Sequence, residues 1–482
     1  MSPPSRRDFV KLAAAAAGAV LVPPALQERA HDRMLDGAAS PDAEEHGWER
    51  VPSILARIKP PTFPARAFPV TRYGAKSDGV TDSSAAFRRA IAACAAAGGG
   101  RVVVDGGTFL TGPIHLRSRV NLEVKEGATI TFLTDPKAYE QYVLTRFEGV
   151  EMMGLSPLIY ASNARDVAIT GAGTLDGQAG NDVWWHWNGN ARYGWKQGAG
   201  NQRAARARLF DMAERNVPVA GRRFGVDSFL RPNFIQPYGC TNVLIEGVSI
   251  RNSPMWEINP VLCRNVTVRG VQIASHGPNN DGCDPESCRD VLIERCSFDT
   301  GDDCIAIKSG RNADGRRVNV PTENVIIRDC EMRDGHGGVT IGSEISGHVR
   351  HVYAERNKMD SPQLERALRL KNNAMRGGVL EHIYMRDVEV GQVADAVLQV
   401  DFLYEEGAKG NFPPVVRDVE LRRVTSRKSN YGLYLRGYEK GTIEDVRVID
   451  CTFDGVAKPD VVEHVTGLVR QNVTVNGAKA TQ

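Results

Sequence analysis

The amino-acid sequence predicts an all-β fold, a right-handed parallel β-helix in which short strands stack into a solenoid. Three observations lead to this prediction: segments of alternating apolar residues recur along the chain, they recur about every 29 residues, and turn-forming residues separate them. Val and Ile at alternate positions are typical of strands. A leucine-rich-repeat horseshoe has a comparable period, but its leucine-spaced consensus is absent from this sequence.

The repeat is clearest in residues 242–250, which begin with Asn242 and Val243. An outlying fragment precedes this copy at Val167, and further copies begin at Val266, Val291, Val325, Val352, Ile383, Val419 and Val446. One position near the end of the copies holds valine or cysteine, and like residues at such a position are expected to stack in a dry core. The residues concerned are Val248, Val271, Cys296, Cys330, Val388, Val424 and Cys451.

Residues 1–27 have the order of a secretory signal, with paired arginines at Arg6 and Arg7, an uncharged run at 12–22 and then a proline pair. The run is too short to cross ~30 Å of hydrocarbon. The arginine pair and its surroundings resemble the twin-arginine export signal. We therefore expect a periplasmic or secreted protein that folds in the cytosol before export. An ordinary amphipathic helix is disfavoured, because a run of alanines offers no polar face.

The chain of 482 residues is 42% hydrophobic and 24% charged, which excludes a disordered protein. Its 60 Lys and Arg against 58 Asp and Glu leave a net charge of +2, too small to recruit nucleic acid or an anionic membrane. Nine cysteines are too sparse for a disulfide scaffold, and their spacing fits no zinc site. We expect buried thiols, since a reducing folding compartment disfavours the alternative, a local disulfide between Cys283 and Cys288.

Three segments accompany the repeats. Residues 28–67 are expected to form a linker and a short capping segment, whereas residues 68–482 form the β-helix with an insertion at 178–230. A helix predicted at 85–97 begins after a polar Asp-Ser-Ser cap and ends at three glycines, so it is expected to plug the first coil. The insertion carries tryptophans that either stack on sugar rings or pack in a core. They are Trp184, Trp185, Trp187 and Trp195.

Four short polar motifs lie at similar positions in consecutive repeats. Because adjacent coils are ~4.8 Å apart, we expect three carboxylates, an imidazole and two cations to line one groove. Carboxylates this close cannot all ionise easily, so one is expected to hold a proton near neutral pH, as a general acid must. The motifs are Asn279-Asn280-Asp281-Gly282, Gly301-Asp302-Asp303, Gly335-His336-Gly337 and Arg369-Leu370-Lys371.

The two cations of the last motif, Arg369 and Lys371, are two residues apart in a strand, so their side chains point the same way. We expect them to bind a carboxylate of the ligand. Taken singly, each motif is a common structural feature, such as a turn, a bend or a solvated strand face. The functional prediction therefore depends on the order and the spacing of all four.

Together the motifs resemble glycoside hydrolase family 28, the pectin-degrading polygalacturonases, from about residue 68 to residue 456. Stretches 73–82, 173–177 and 252–256 support the resemblance. It implies that Asp302 is the general acid and that Asp281 activates water together with Asp303. It also implies that His336 tunes the acid, and that Arg369 and Lys371 bind the galacturonate carboxylate. The resemblance also implies inversion at the anomeric carbon, for which acid and base are ~6.5–9.5 Å apart.

The insertion and the run at 308–312 resemble the exo-acting bacterial branch of that family. By this resemblance Arg311 is expected to grip a terminal sugar, with a solvated loop arginine as the alternative. Asn279, Trp256 and Asn259 are further candidate sugar contacts. Asn280 stands where Thr is most common, and Asn259 stands where many exo-acting relatives carry His.

The expected substrate is pectin or oligogalacturonate, without a cofactor or metal, and the expected state is a monomer. An endo-acting enzyme and a rhamnogalacturonan side-chain galacturonidase are the alternatives within carbohydrate hydrolysis. A calcium-dependent pectate lyase and a non-catalytic polysaccharide-binding solenoid are the alternatives from other classes. The lyase is disfavoured because the acidic residues come with a His and an Arg-x-Lys pair rather than in a metal-binding arrangement. The binding solenoid is disfavoured because it has no need of the Asp302-Asp303 pair.

Overall fold

Thirty-nine short strands, numbered along the chain, form most of the regular structure in residues 47–480, the part that the computed structural model describes. Most of them make three sheets that extend along the stack of coils, with parallel pairing except between the last two strands. This confirms the predicted right-handed parallel β-helix, whose handedness follows the general rule for parallel crossover connections.

Sheet 1 contains β1 (Ala67–Pro69), β3 (Gly100–Val104), β6 (Val120–Val124), β11 (Arg165–Thr170), β14 (Thr241–Glu246), β16 (Arg264–Arg269), β18 (Arg289–Glu294), β21 (Thr322–Arg328), β24 (Val349–Glu355), β27 (Val379–Arg386), β30 (Val415–Arg422), β33 (Ile443–Ile449), β36 (Val465–Thr466) and β37 (Val469–Gln471). Sheet 2 contains β2 (Asp78–Asp82), β4 (Gly107–Thr111), β7 (Ala128–Phe132), β12 (Thr174–Asp176), β15 (Ser249–Arg251), β17 (Gln272–Ser275), β19 (Ser297–Thr300), β22 (Glu331–Met332), β25 (Lys358–Met359), β28 (Glu389–Val390), β31 (Thr425–Ser426), β34 (Thr452–Phe453), β38 (Thr474–Val475) and β39 (Ala478–Lys479).

Sheet 3 has two segments. They are connected by isolated β-bridges through Ile258 and Cys283. Its strands are β5 (Ile114–Leu116), β10 (Ile159–Ser162), β13 (Ile235–Tyr238), β20 (Ile305–Ile307), β23 (Val339–Ile341), β26 (Arg366–Lys371), β29 (Ala396–Asp401), β32 (Tyr431–Arg436) and β35 (Val461–Glu463). An antiparallel hairpin of β8 (Val143–Phe147) and β9 (Val150–Gly154) stands apart from the three sheets.

The repeat read from the sequence is the register of sheet 1. Each predicted starting residue pairs with its counterpart in the next coil, beginning with Val167 opposite Val243 and ending with Val419 opposite Val446. Positions related by the sequence repeat are therefore stacked in space, and this stacking is what brings the polar motifs together.

A residue in the left-handed region precedes the repeat position in each of these coils. Asn and Asp tolerate positive φ better than most residues, which explains the polar residue that marks the start of the pattern. Side chains in this column also bond to one another, as where Asn265 Nδ2 donates to Asn242 Oδ1 at 2.8 Å. The column consists of Asp166, Asn242, Asn265, Asp290, Asn324, His351, His382, Asp418 and Asp445.

The predicted column of valine and cysteine lies in the core, and its members are at most 2% exposed. In the coil that begins at Val352, the same position holds Asn357, which accepts a hydrogen bond from Cys330 N and donates one to Ile327 O. All nine cysteines are free and buried, which confirms the expected thiols and rules out the disulfide between Cys283 and Cys288.

Two helices cover different parts of the solenoid. Helix α1 (Val51–Arg57) packs on the outer side of sheet 1, against Leu292 and Ile326. It therefore lies along the flank of the stack, which corrects the expectation of a capping role for this segment. Helix α2 (Ser84–Ala96) is the predicted plug, and its buried face includes Phe87 and Ile91.

The insertion at 178–230 has little regular structure apart from helix α3 (Arg203–Glu214). Trp184 and Trp187 are buried and pack edge to face at 4.9 Å, so the packing interpretation holds for these two. Trp195 N–H donates to the carbonyl of Ala199. Trp185 is half-buried, and its indole N–H donates to Ser253 O, beside the first polar motif.

Short helices connect the strands elsewhere. Helix α4 (Asn312–Val318) follows β20, and 3-10 turns comprise Trp48–Arg50, Val70–Tyr73, Pro136–Tyr139, Trp185–Asn188, Ala191–Tyr193, Val219–Gly221 and Val226–Ser228. Within residues 47–480, no helix is long and apolar enough to cross a membrane. The signal predicted at residues 1–27 lies outside the described residues.

Candidate active site

The four polar motifs meet on one side of the solenoid. Asp302 and Asp303 follow the end of β19, His336 follows β22 in the next coil, and β26 carries Arg369 and Lys371 one coil further. The backbone is tight here because a Cβ on Gly337 would lie 2.2 Å from Thr340 Oγ1 and 3.1 Å from Asp303 Oδ1. Only glycine therefore lets this turn lie against the carboxylate.

Three carboxylates form the centre of the site. One oxygen atom from each of Asp281, Asp302 and Asp303 lies within 4.8 Å of the other two. Asp281 and Asp303 are buried, whereas the side chain of Asp302 keeps 17% of its surface exposed. Asp302 is therefore the member of the group that is most open to a ligand.

Asp302 is paired with His336. Nδ1 of the imidazole lies 2.9 Å from Asp302 Oδ1, and this hydrogen bond raises the pKa of His336 to about 9 although burial opposes the rise. Burial alone would raise the pKa of Asp302, but the hydrogen bond and charge of His336 outweigh it and lower that pKa. Without substrate, the pair is therefore an imidazolium and a carboxylate at neutral pH.

Asp303 is surrounded by donors. Lys371 Nζ lies 2.6 Å from Oδ2, Arg369 Nη1 lies 3.3 Å from Oδ1, and Thr340 Oγ1 donates to Oδ1 at 2.9 Å. These two cations hold the pKa of Asp303 well below its usual range in spite of complete burial. Both cations also lie over the ring of Tyr404, at 5.6 Å for Arg369 and 5.5 Å for Lys371.

Asp281 has the opposite environment. Burial first, and then the charges of Asp284 and Asp302, raise its pKa well above the usual range, although Lys308 opposes this. Burial likewise raises the pKa of Asp284, whose two oxygens accept no hydrogen bond from a described residue. Some of the crowded carboxyl groups thus have raised pKa values, as the sequence predicts. They belong to Asp281 and Asp284 rather than to Asp302, because the hydrogen bond and the charge of His336 lower the pKa of Asp302.

The distance between the carboxylates also differs from the expectation. Their oxygens approach within 4.8 Å, which is shorter than the ~6.5–9.5 Å expected between the acid and the base of an inverting enzyme. The reason is that Asp302 follows a strand only one coil from the turn that carries Asp281, and one coil height is ~4.8 Å.

Two of the candidate sugar contacts are structural in this fold, which corrects the sequence expectation. Asn259 is fully buried: its Oδ1 accepts from Asn233 and Gln236, and its Nδ2 donates to Asp284 O. Trp256 is 3% exposed and packs beneath Lys308. Neither side chain offers a free surface to a sugar.

Asn279 lies at the edge of the site with φ +56, and its Oδ1 accepts a hydrogen bond from the buried Arg231 at 2.7 Å. Its neighbour Asn280 is fully buried and bonds to Ser275, so it orients the turn before Asp281. Of the candidate contacts in this turn, Asn279 alone keeps part of its surface exposed.

Arg311 fits neither of the two sequence-based expectations, which were contact with a terminal sugar and a solvated loop position. Its side chain is 4% exposed, so it is not a solvated loop residue, and it lies between carboxylates rather than open to a sugar. The nearest are Glu344 at 3.1 Å, Glu148 at 3.5 Å and Glu405 at 3.5 Å.

Sequence reasoning missed several charged residues of the site, above all Lys308, Glu344 and Asp284. Lys308 Nζ lies 3.5 Å from Asp281 Oδ2, 3.6 Å from Asp284 Oδ2 and 3.3 Å from Glu344 Oε2. A signal for Lys308 was available, since a lysine directly after the apolar strand β20 is unusual for a core-facing position. Glu344 and Asp284 had no comparable sequence signal.

Two groups of described residues have metal-ligating side chains close together: the central carboxylates, and His276 with Asp299 and Asp334. In the central group the cations Lys371, Arg369 and Lys308 already face the carboxylates. The counter-charge that the chain itself supplies is therefore ammonium and guanidinium. This arrangement suits proton transfer beside an anionic ligand.

Two family models match the chain. The model described as glycosyl hydrolases family 28 matches residues 226–473, which include all four polar motifs. The model described as rhamnogalacturonase A/epimerase, pectate lyase-like, matches residues 67–131, at the beginning of the solenoid.

Solved and curated proteins show the same similarity. A hyperthermoactive exopolygalacturonase from Thermotoga maritima is 46% identical, with a TM-score of 0.87 over 89% of this chain and 96% of that one. A protein named "Probable polygalacturonase" from Vitis vinifera is 26% identical over 80% of this chain and 74% of its own length. An exo-poly-alpha-D-galacturonosidase from Dickeya chrysanthemi is 27% identical over 70% of this chain and 57% of its own length.

Proposed function

Because this chain belongs to glycosyl hydrolases family 28, we propose that it is an inverting exo-polygalacturonase that releases single galacturonate units from the non-reducing ends of polygalacturonate. The observation that carries the proposal is the placement of Lys371 and Arg369 beside Asp303, next to the Asp302–His336 pair. Fixed cations thus lie next to the carboxyl group of Asp302, which keeps part of its surface open to a ligand.

The cations provide the selectivity for a uronate. Lys371 and Arg369 share one face of β26, where an incoming carboxylate meets an ammonium and a guanidinium together. Asp303 holds both side chains in place when the site is empty. A neutral sugar of the same shape leaves these charges without a new partner and gains less on binding.

Asp302 acts as the general acid in this mechanism and Asp281, with Asp303, as the base that activates water. The pKa of Asp302 is lowered in the free protein, so binding must raise it before the proton is delivered. A bound uronate supplies both necessary changes, because it adds a negative charge nearby and excludes water from the partly exposed carboxylate. Asp281 Oδ1 has no hydrogen-bond partner among the described residues, and in the ionised form of this carboxyl it can receive the proton of the water.

Contacts among elements beside the polar motifs support exo-action, because such elements could close one end of a groove. Three elements that do not belong to the coils contact one another: the β8–β9 hairpin, α3 and the loop after β29. Arg206 of α3 binds Glu148 of the hairpin with an Nε–Oε2 distance of 2.8 Å, and Arg311 connects that glutamate to Glu405 of the loop. The naming of the Thermotoga maritima relative as an exopolygalacturonase agrees with this interpretation.

One assay tests the hydrolytic function. Protein is incubated with polygalacturonate with and without EDTA, and both reducing ends and the absorbance of unsaturated product are followed. Hydrolysis gives reducing ends without unsaturation in both samples. Unsaturated product that disappears with EDTA would identify a lyase, and neither signal would identify a binding protein.

The stereochemistry requires a direct measurement, because the carboxylate distance is shorter than the inverting rule expects. Proton NMR of the first product formed from an α-linked oligogalacturonate shows β-galacturonate if water attacks opposite the leaving group. Initial formation of the α-anomer would show retention and would contradict the assignment of Asp281 as a base.

We also propose that residues 1–27 direct export by the twin-arginine route to the periplasm or the medium. The support is the Arg6-Arg7 pair followed by the uncharged run. Replacing both arginines with lysine is expected to leave folded protein in the cytosol, as cell fractionation would show. Export of the variant at the normal level would contradict the proposal.

The last part of the proposal is that the protein works as a monomer, since the groove is complete within one chain. Light scattering during size-exclusion chromatography is expected to give a mass close to that of a single chain. A mass twice as large would contradict a monomer.

A further inference from the structure

We propose that Lys308 is a positioning residue for Asp281: its ammonium engages one carboxylate oxygen and favours the ionised form of the group, which leaves the other oxygen free for the attacking water. This inference rests on the proposed hydrolytic function. It assigns a task to a residue that lies outside the four polar motifs.

The position of Lys308 is defined by close contacts on every side. Strand β20 ends at Ile307, and the next residue, Lys308, is only 2% exposed. Its Nζ lies 4.4 Å from the centre of the Trp256 ring and within 3.6 Å of oxygens of Asp281, Asp284 and Glu344. The ammonium therefore has a single well-packed location.

The two oxygens of Asp281 have different surroundings. Oδ2 lies 3.5 Å from Lys308 Nζ. Oδ1 is buried and has no hydrogen-bond partner among the described residues, and it belongs to the carboxyl that approaches Asp302 and Asp303. A buried acceptor without a partner is costly, so a role in binding water accounts for Oδ1.

The charge around Asp281 explains why a cation is needed. Burial and the neighbouring carboxylates of Asp284, Asp302 and Asp303 all raise its pKa, and Lys308 opposes them. The carboxylates in turn raise the pKa of Lys308 well above its usual value although burial lowers it, so the lysine stays charged. The charged and titratable groups that face this cluster from the packed elements are Glu257, Asp281, Asp284, Glu286, Asp302, Asp303, Arg311, Glu344 and Lys371.

A purely structural role for Lys308 is the competing explanation. Its contact with Glu344 extends to Arg311 and so to Glu148 of the β8–β9 hairpin and Glu405 of the loop after β29. A lysine that only neutralised Glu344 and Asp284 would stabilise the fold without changing the ionisation of Asp281. The pH profile of activity separates the two explanations, because loss of stability alone does not move it.

The sign of the expected change follows from the role of the base. Asp281 must be ionised to accept a proton, so kcat/KM falls as pH decreases through its pKa in the free enzyme. Removing the positive charge raises that pKa. In K308M the acidic limb of kcat/KM is therefore expected to move to higher pH by about one to three units.

Three variants make the experiment decisive. K308R keeps the charge and is expected to retain the position of the acidic limb, even with lower kcat. K308M/D284N removes a buried carboxylate together with the lysine, which guards against misfolding, and its limb is expected to move less than that of K308M. Lys125, exposed and paired with Asp105 at 3.0 Å, provides the control K125M, which should match the wild type.

A readout without substrate keeps this test separate from that of the proposed function. Infrared difference spectra follow the carbonyl band of a protonated carboxyl, which D281N identifies by its loss. The titration midpoint of this band is expected to rise in K308M relative to the wild type. An unchanged midpoint or an unmoved acidic limb in a folded K308M would overturn the inference. A higher infrared midpoint in K308M than in the wild type would support the inference. If the wild type then hydrolysed no polygalacturonate, only the proposed function would be refuted.

Discussion

Nδ1 of His336 lies 2.9 Å from Oδ1 of Asp302, so the imidazole of one coil is hydrogen-bonded to the carboxylate of the coil before it. The pair is partly exposed to solvent, with 45% of the His336 side chain and 17% of the Asp302 side chain accessible. The contact gives Asp302 a charge environment that neither Asp281 nor Asp303 has. It is therefore the feature that distinguishes the proposed acid from the other two carboxylates.

Replacing Asp302 with Asn is expected to remove hydrolysis while leaving the fold intact. The amide has nearly the same shape but cannot donate the required proton, and general acid catalysis contributes ~10²–10⁴-fold. The measurements are kcat on polygalacturonate and the thermal melting curve. The same exchange at Asp329, which has φ +56 on the outside of the solenoid, is the control and should change neither. More than about a tenth of wild-type kcat in the Asp302 variant would refute the acid assignment.

The His336–Asp302 pair also makes stability depend on pH. The pKa of His336 is about 9 in the folded protein, above its ordinary value of about 6.5. The stabilisation is therefore complete below pH ~6.5 and is lost as pH rises through about 9. Chemical denaturation of wild type and His336→Gln at several pH values checks this, and the difference between them should shrink across that window. Partial exposure keeps the effect small, and a difference that grows with pH would contradict the pairing.

Lys371→Ala is expected to weaken uronate substrates far more than neutral ones. Loss of a charge-assisted contact should lower kcat/KM for a galacturonide by roughly ten- to a hundredfold. Parallel kinetics on an aryl galacturonide and the matching aryl galactoside provide the comparison, with the exposed Lys358→Ala as control. Equal losses on both substrates would mean that Lys371 acts through Asp303, which it contacts at 2.6 Å, rather than on the ligand.

Exo-action predicts that the viscosity of polygalacturonate falls slowly while reducing ends accumulate quickly, because a pocket closed at one end admits only chain ends. Monomer is the expected early product in chromatography. An endo-acting reference enzyme gives a steep viscosity loss at the same number of broken bonds. An early ladder of mid-length oligomers would refute the closed pocket and leave the hydrolase assignment standing.

The plug helix makes a prediction about stability. Phe87 is 1% exposed in the core beneath the first coil, so Phe87→Ala should cost about 3–5 kcal/mol. Arg88 is exposed on the same helix, and Arg88→Ala should change the free energy of unfolding by no more than about 0.5 kcal/mol. Denaturant titrations measure both. A small effect of the Phe87 change would mean that α2 does not seal the core.

The architecture could be predicted in detail because its signals are local and repeated. Alternation of apolar residues defines the strands, and a column of left-handed residues marks where each repeat begins, as at Asn242 and Asn265. Since one repeat builds one coil, the number of repeats between two residues gives the number of coils between them in the stack. For the same reason Asp302, His336 and Lys371 were expected on one face, and the structure places them there.

The residues outside the repeats could not be placed in this way. Trp256, Asn259 and Arg311 were candidate sugar contacts by motif and resemblance, yet each is buried among partners from other coils or from the insertion. Lys308 is the converse case. The residues that precede it are apolar, and its importance follows from carboxylates that are 24 to 36 residues away.

The sequence by itself determined the coil repeat, the register of sheet 1, the plug helix and the four polar motifs that share one side of the solenoid. Only the tertiary structure decided which carboxyl groups hold protons and how far apart they lie. The physical reason is that a strand pattern depends on neighbouring residues, whereas a pKa depends on burial and on charges in space. Asp281 and Asp303 are both buried carboxylates of one site, but Lys371 and Arg369 hold the pKa of Asp303 low, whereas burial and neighbouring carboxylates raise the pKa of Asp281 although Lys308 opposes the rise.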